Sequence, residues 1–390
     1  MSKNVVVIGG GIIGLCTAYY LQKEGHQVTV IDKSDFKTGA SYVNAGYITP
    51  SHIISLASPG IITQGIKWMF DSSSPFYVKP RLDIDFLKWT WAFKKSATAK
   101  KVAASIPVIK DINLLSRDLY EEIKASNDFN FHYERKGLMM YYQTDKVGEH
   151  EWELGKKALK AGLHAEHLTS MDAIRKYEPT VDLNVKGAVY FDCDAHMTPS
   201  DFMPEMVGYL KSKGVQIFAN EAVKDVEVKN QVISKVITDK AIYDADEVVM
   251  AAGSWSPLLT KKLGIKIPIQ AGKGYRINVE RETNITVPSI LCEAKVAVTP
   301  MTGFTRFAGT MEIDKINHRI NPLRVNAIAN AVTKFYNGLE IHQAEKDAAE
   351  CGLRPCSPDG LPYIGKSSKC TNLTIAAGHA MMGWSLGPVT

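Results

Sequence analysis

Val5-Val6-Val7-Ile8 runs straight into Gly9-Gly10-Gly11-Ile12-Ile13-Gly14, and no other stretch restricts the fold of this chain so tightly. A short run of β-branched residues reads as a buried parallel strand. Gly9 allows the tight turn off that strand, Gly11 lets the backbone approach a pyrophosphate, and Gly14 lets the next helix pack closely on the sheet. The helix N-terminus then offers free N–H groups and the positive end of its dipole to phosphates. Val28-Thr29-Val30-Ile31 supplies a second strand ending at Asp32. A carboxylate roughly 20 residues past the turn suits a ribose with free hydroxyls and repels a 2′-phosphate. Strand, glycine turn, helix, strand and acid in this order predict a bound adenosine nucleotide rather than a purely structural turn. A secretory leader is the competing reading of Lys3 and its apolar sequel, but no small-x-small cleavage pattern follows the glycines.

Length and composition set the outer limits. A chain of 390 residues with 45% hydrophobic and 22% charged residues is built to fold, with room for two domains. Its net charge of +5 is modest and its basic residues are scattered, so nucleic acid is not the expected partner. The six cysteines show neither CxxC pairs nor zinc-type spacing, which points to a reducing cytoplasm. No run of about 18 apolar residues is present to span a bilayer.

Downstream, Ala40-Ser41-Tyr42-Val43-Asn44-Ala45-Gly46 reads as backbone lying against a flat ligand, with Ser41 and Asn44 as hydrogen-bonding candidates. Between Ile61 and Lys95, Trp68, Phe70, Phe76, Tyr77, Phe86, Trp89, Trp91 and Phe93 alternate with lysines and Arg81. That mixture fits a surface resting on lipid headgroups, and equally helices packed into a core with solvated lysines. Ile106, Ile109, Ile112, Leu115, Leu119 and Ile123 recur at steps of three and four, predicting an amphipathic helix that covers a sheet. Asp192-Cys193-Asp194-Ala195-His196 carries ligand-type side chains without the partner spacing of a metal site, so a turn is expected there and no metal. After a helix opening at Pro199, short strands lead to Val248-Val249-Met250-Ala251-Ala252-Gly253, where small residues return the backbone to the nucleotide. Gly272-Lys273-Gly274 lacks the remainder of a second fingerprint, so electrons are expected from an organic substrate rather than a nicotinamide. Near the C-terminus, strand, glycine loop and incipient helix recur over 372–384, a place to stabilise negative charge on a reduced ring.

With these segments in place, together with Gly352-Leu353-Arg354-Pro355 and Gly309-Thr310-Met311-Glu312, the chain resembles the D-amino-acid oxidase superfamily of FAD enzymes, and within it the bacterial D-amino-acid dehydrogenase group. Ser74-Pro75-Phe76-Tyr77, Trp89, Trp91, Gly272-Lys273-Gly274-Tyr275 and Gly378-His379 through Trp384 carry the rest of the likeness. The resemblance implies an α/β fold: a Rossmann-like, glutathione-reductase-like FAD domain (1–52, 190–262 and 350–390) and a mixed-sheet α+β substrate domain (53–189 and 263–349). It implies FAD, with adenosine at Asp32 and the flavin between Asn44–Gly46 and Gly378–Gly383. The implied cofactor set is Gly9, Gly11, Ile12, Ile13, Gly14, Asp32, Lys33, Ser41, Asn44, Ala45, Gly46, Val223, Ala252, Gly253 and Trp255, with Gly378, His379, Met381, Met382 and Gly383. By the same analogy Arg354 binds a substrate carboxylate and Tyr275 or Met311 lines the pocket. His379 joins these site candidates as a ring packed on the flavin edge. The family's last helix normally continues past a Pro-x-Thr such as Pro388-Val389-Thr390, so a shortened C-terminus is expected.

The expected activity is FAD-dependent oxidative deamination of D-amino acids, D-proline and hydroxy-D-proline among them, by hydride transfer to flavin N5. The imine hydrolyses to a 2-oxo acid, and electrons pass to a quinone or other respiratory-chain acceptor. A cytoplasmic protein peripheral on the inner face of the plasma membrane is the matching location. A glycine- or sarcosine-type oxidase releasing peroxide is the alternative, and a flavoprotein module modifying tRNA bases is a third reading that the charge distribution does not favour.

Overall fold

The computed structural model describes residues 1–60, 75–79 and 81–390. Asn4–Ile8, Gln27–Ile31, Glu247–Met250, Gln216–Phe218 and Leu373–Ala377 form a parallel sheet, which the antiparallel strand Tyr363–Lys366 edges. Asn4–Ile8 sits in its middle, which is why Val5 to Ile8 are apolar on both faces and all buried. The helix Ile12–Lys23 follows, starting at Gly11. Its Ile12, Leu15, Cys16 and Tyr19 share one core with Val5, Val7 and Val30 of the sheet and Phe202 and Met206 of the helix Pro199–Ser212. Each fully buried aliphatic side chain here contributes about 1.5–3 kcal/mol. The other sheet face is covered by the antiparallel strands Val223–Lys229, Val232–Thr238 and Ile242–Asp244.

A nine-stranded mixed sheet forms the second layer system. Its long strands Gln270–Val279 and Phe304–Asp314 pair antiparallel, flanked on one side by Glu350–Cys356 and on the other by Val296–Met301, Ser289–Leu291, Leu138–Tyr142, Gly187–Phe191 and Glu166–Leu168. Residues 350–356, grouped by sequence with the nucleotide half, therefore belong to this sheet. Backbone pairing of Glu350–Cys356 with Gln270–Val279 overrides the boundary at 350. A small sheet of Tyr47–Ile48, Ala195–Met197 and Tyr133–Glu134 joins the two systems.

Two further expectations change, and a third, left between two readings, is divided. The helix Ala99–Ala125 turns Ile109, Asn113, Ser116, Tyr120 and Ile123 inward and leaves Leu115 exposed. The C-terminal segment decides this face, because Ser385 Oγ donates to Asn113 Oδ1 at 2.6 Å and Tyr120 donates to the Trp384 carbonyl at 2.6 Å. After the strand Leu373–Ala377 the chain forms consecutive turns rather than a helix. Gly378 (φ 81°) and Ala380 (φ 49°) are left-handed, and Gly383, Gly387 and Pro388 are poor helix formers. Finally, Phe86, Trp89 and Phe93 of the helix Ile84–Ser96 are buried with Met311, Ile313 and Cys356, so this half of the aromatic segment is core. Leu82, Ile84, Leu87 and Trp91 do face solvent, beside exposed Lys88, Lys94 and Lys95. Lys67, Trp68, Phe70 and Ser74 lie outside the described residues.

Candidate active site

One cavity of about 1730 Å³ runs from the glycine turn, along the first parallel strands, and out over the large sheet. At its start the turn is as tight as its sequence predicts. Gly9 has φ 110°, and a Cβ there would lie 2.7 Å from the Ala251 carbonyl carbon. Gly14 presses on the Gly9 carbonyl, bringing the helix onto the strand end. No side chain of the N-cap closes the helix. Ile12 N–H donates to Ser41 Oγ at 2.9 Å, so Ser41 braces the glycine turn while its O–H stays available at the cavity wall. Asp32 takes Gly10 N–H on one oxygen at 2.6 Å and Ser34 N–H on the other at 2.7 Å. The acid is thus fixed at the strand end with lone pairs left for hydroxyl donors. Nearby, Lys33 Nζ lies 3.1 Å from the centroid of the Trp255 ring, and Val223, Ala252 and Gly253 complete the wall.

The Asn44–Gly46 turn is built from inside the protein. Asn44 Oδ1 accepts from Gly46 N–H at 2.8 Å, and Gly46 is left-handed at φ 78° against the Met197 carbonyl. Beneath it Arg306, 1% exposed, donates to the Tyr42 and Asn44 carbonyls at 3.1 and 2.6 Å and to Asn278 Oδ1 at 3.0 Å. Burial pushes its pKa down to about 9. Sequence reading missed Arg306; an arginine between apolar neighbours in Phe304–Asp314 was the available signal. On the far side His379, 1% exposed, has its pKa pushed down to about 3 by burial, so its imidazole is neutral. Its Nε2 lies 3.1 Å from Thr390 Oγ1. Ala45, Met381, Met382 and Gly383 also line the cavity. Gly14, Gly46 and Gly378 do not; they shape its backbone from behind.

Over the large sheet the chemistry changes. Arg354 reaches into the cavity from Glu350–Cys356, and burial lowers its pKa from the ordinary arginine value. Among the described residues no carboxylate pairs with it; Nη1 donates to the Thr310 carbonyl at 3.2 Å. Its guanidinium lies flat on Gly274, where a Cβ would come within 2.5 Å of Nη2 and closer to Nη1. Gly274 is therefore a seat. The strands slip register opposite it, between Lys273 and Tyr275, and the resulting bulge holds Thr310 at φ 60°, an uncommon conformation for a β-branched residue. Thr310 is 7% exposed and lines the cavity, and among the described residues its hydroxyl has no hydrogen-bond partner. Tyr275 lines the cavity as expected, with its hydroxyl 3.4 Å from Glu312 Oε2, where Lys273 Nζ also sits 3.3 Å from Oε1. Met311 lines it while packing on the buried aromatic cluster. Further along, Ile53, Met140 and Ile290 form an apolar end that sequence reading did not find, closed by Glu151 and Lys295 at 3.2 Å.

A long cavity with an open helix N-terminus and anchored acid at one end, and small residues along its middle, fits an extended dinucleotide with a flat ring system. The profile of the FAD-dependent oxidoreductase family (DAO) matches residues 4–390. A D-amino acid dehydrogenase of Helicobacter pylori is 32% identical over 393 residues, spanning 100% of this chain and 93% of that protein. One from Vibrio vulnificus is 30% identical over 395 residues, spanning 98% and 93%. Among solved structures, glycine oxidase from Bacillus cereus superposes with a TM-score of 0.73 at 23% identity, over 100% of this chain and 92% of that one. L-Proline dehydrogenase from P. horikoshii gives 0.70 at 20%, over 99% and 90%. The structural likenesses establish a shared fold.

Proposed function

The chain belongs to the FAD-dependent oxidoreductase family, and on that premise we propose that it oxidises D-amino acids, with D-proline and hydroxy-D-proline among its substrates. The observation that carries the reading is Arg354, a buried guanidinium with no acid partner among the described residues, inside the cavity that begins at the nucleotide turn. Bound FAD supplies a two-electron acceptor for the hydride that leaves the α-carbon. The residues that would hold it are those of the glycine turn, Asp32, the Asn44–Gly46 turn and the Gly378–Gly383 loop, each of which fits by the geometry above.

What the protein does beyond this is orientation. Arginine remains protonated at neutral pH even when burial lowers its pKa, and its fork grips a carboxylate at two points. With Nη1 tied to the Thr310 carbonyl, the other guanidinium edge is the free one. A substrate held there has a fixed α-carbon, which converts binding energy into a reactive geometry. No side-chain base is required: the amine enters neutral, the α-hydrogen leaves with its electron pair, and the nitrogen proton goes to water. The imine of a primary amino acid adds water to give a 2-oxo acid and ammonium, whereas the cyclic imine from proline keeps its nitrogen and opens to an amino-2-oxo acid. Neutral His379 suits this scheme, because an imidazolium would oppose the transfer of positive charge onto the substrate nitrogen.

A quinone is the acceptor that fits the exposed stripe of Leu82, Ile84, Leu87 and Trp91 with Lys88, Lys94 and Lys95. Apolar and lysine side chains on one helix face suit peripheral contact with anionic headgroups. The nucleotide half (1–52, 190–262 and the C-terminal strand and loop) and the substrate half divide the work accordingly. Anaerobic mixing of the flavin-loaded protein with D- and L-amino acids should bleach the flavin with D-isomers. Bleaching by L-isomers alone, or by none, overturns the proposal. Rapid reoxidation by oxygen with peroxide release, and no binding to anionic liposomes at low salt, would replace the quinone with oxygen.

A further inference from the structure

The small sheet behind the Asn44–Gly46 turn gathers a second set of donors. His132 immediately precedes the strand Tyr133–Glu134, and its ring lies on the side of Glu134. Glu134 stands directly opposite His196 in the antiparallel pairing of Tyr133–Glu134 with Ala195–Met197. The register thus puts three ligand atoms within 4.8 Å of one another. Glu134 Oε2 is 3.6 Å from both His132 Nε2 and His196 Nε2, beyond hydrogen-bond range.

His196 is fully buried, and among the described residues neither ring nitrogen makes a well-formed hydrogen bond to a side chain. Buried polar groups are almost always satisfied, so an imidazole left bare at a carboxylate calls for an explanation. His132 is oriented in the manner of a ligand. Its Nδ1 lies 2.9 Å from Thr198 Oγ1, which already accepts from Thr302 N–H at 3.0 Å. That contact at Nδ1 holds the ring with Nε2 toward Glu134, 3.6 Å from its Oε2. One competitor is present: Lys136 Nζ sits 2.8 Å from Glu134 Oε2, on a partly exposed side chain free to swing into solvent.

We propose that His132, Glu134 and His196 bind one divalent transition-metal ion of the zinc class. Two imidazoles and one carboxylate suit zinc, cobalt or nickel better than magnesium or calcium, which prefer all-oxygen sets. Zinc with ligands about 2.0–2.2 Å away brings ligand atoms to about 3.4 Å of one another, close to the two 3.6 Å separations from Glu134 and reached by side-chain rotation for the remaining pair. The role is structural. Met197 N–H donates to the Gly46 carbonyl at 2.9 Å and Tyr47 pairs with His196, so an ion on this sheet braces the flavin-side turn from behind.

The test is calorimetric titration of chelator-stripped, flavin-loaded protein with zinc chloride alone. Wild type should bind one equivalent with micromolar or tighter affinity. His132→Ala, a partly exposed change away from the core, should weaken binding by roughly 100-fold or more. Lys136→Ala should tighten it by removing the competing cation. Weak binding at several sites, or an affinity indifferent to both substitutions, overturns the proposal. Amino-acid bleaching of the flavin is scored separately, so failure here leaves the amino-acid oxidation standing and the reverse also holds.

Discussion

Gly274→Ala isolates the seat of Arg354 from the rest of the fold. The new Cβ would stand 2.5 Å from Nη2 and nearer to Nη1, while ordinary contact begins at 3.4 Å, so the guanidinium must shift by at least 0.9 Å. The clash is with the end of a long side chain rather than with backbone, and it can be relieved by movement of Arg354 alone. Stability should therefore change by less than about 1 kcal/mol. Function should not escape: a misplacement of about 1 Å in a positioning group costs on the order of 100-fold in rate, or about 2.7 kcal/mol. The assay is kcat/KM with the best D-amino acid, alongside thermal unfolding, for the single variants Gly274→Ala and Arg354→Ala and for the double variant. Arg354→Ala should lose about 2–5 kcal/mol, and adding Gly274→Ala to it should lose almost nothing more, because the partner of the clash is gone. Full activity in Gly274→Ala, or additive losses in the double variant, would refute the view that this glycine works through the arginine.

Arg306→Met should strand the Tyr42 and Asn44 carbonyls, destabilising the protein by about 2–5 kcal/mol and lowering flavin content, read by urea titration and the flavin-to-protein absorbance ratio. Thr310→Val keeps the branched shape and removes a buried hydroxyl without a partner, so ligand-free thermal stability should rise by about 1 kcal/mol; a fall would reveal a partner in solution. His379 has a pKa of about 3 in the folded protein and an ordinary value of 6.5, so unfolding takes up a proton between those values and stability is lost as pH falls below 6.5. Relative to wild type, His379→Gln should recover about 2 kcal/mol between pH 6.5 and about pH 5, measured by urea unfolding at each pH.

The sequence was most readable where backbone geometry leaves little choice of residue. Gly9 and Gly14 are forced by close approach to Ala251 and to the turn itself, and the strand ending at Asp32 lies where its β-branched run indicates. Pairings across strands were not readable in the same way. His196 looked solitary because its neighbours His132 and Glu134 are brought to it by register, and local spacing carries no record of register. Arg306 and Thr310 were hidden for related reasons: one is a cation enclosed by backbone carbonyls, the other owes its backbone conformation to a bulge opposite Gly274. In Ala99–Ala125 the periodicity announced a helix but not its inward face, since Trp384 and Ser385, more than 260 residues away, select Tyr120 and Asn113. The aromatic segment was divided by the fold, Trp89 going to the core through its Nε1 bond to the Cys356 carbonyl and Trp91 to the surface.

The strand Glu350–Cys356 pairs with the large sheet, yet Ser254 Oγ donates to its Leu353 carbonyl, Ala380 N–H donates to its Pro355 carbonyl, and Cys356 bridges to His379. These contacts tie the strand that carries Arg354 to the nucleotide half and to the loop after Gly378 at Leu353, Pro355 and Cys356. An ancestor adapting to bulkier amino acids would find little room for change near Arg354. The apolar end at Ile53, Met140 and Ile290 is where diversification can proceed while the reacting carbon keeps its distance, and directed evolution for new side chains should draw its winning substitutions from there.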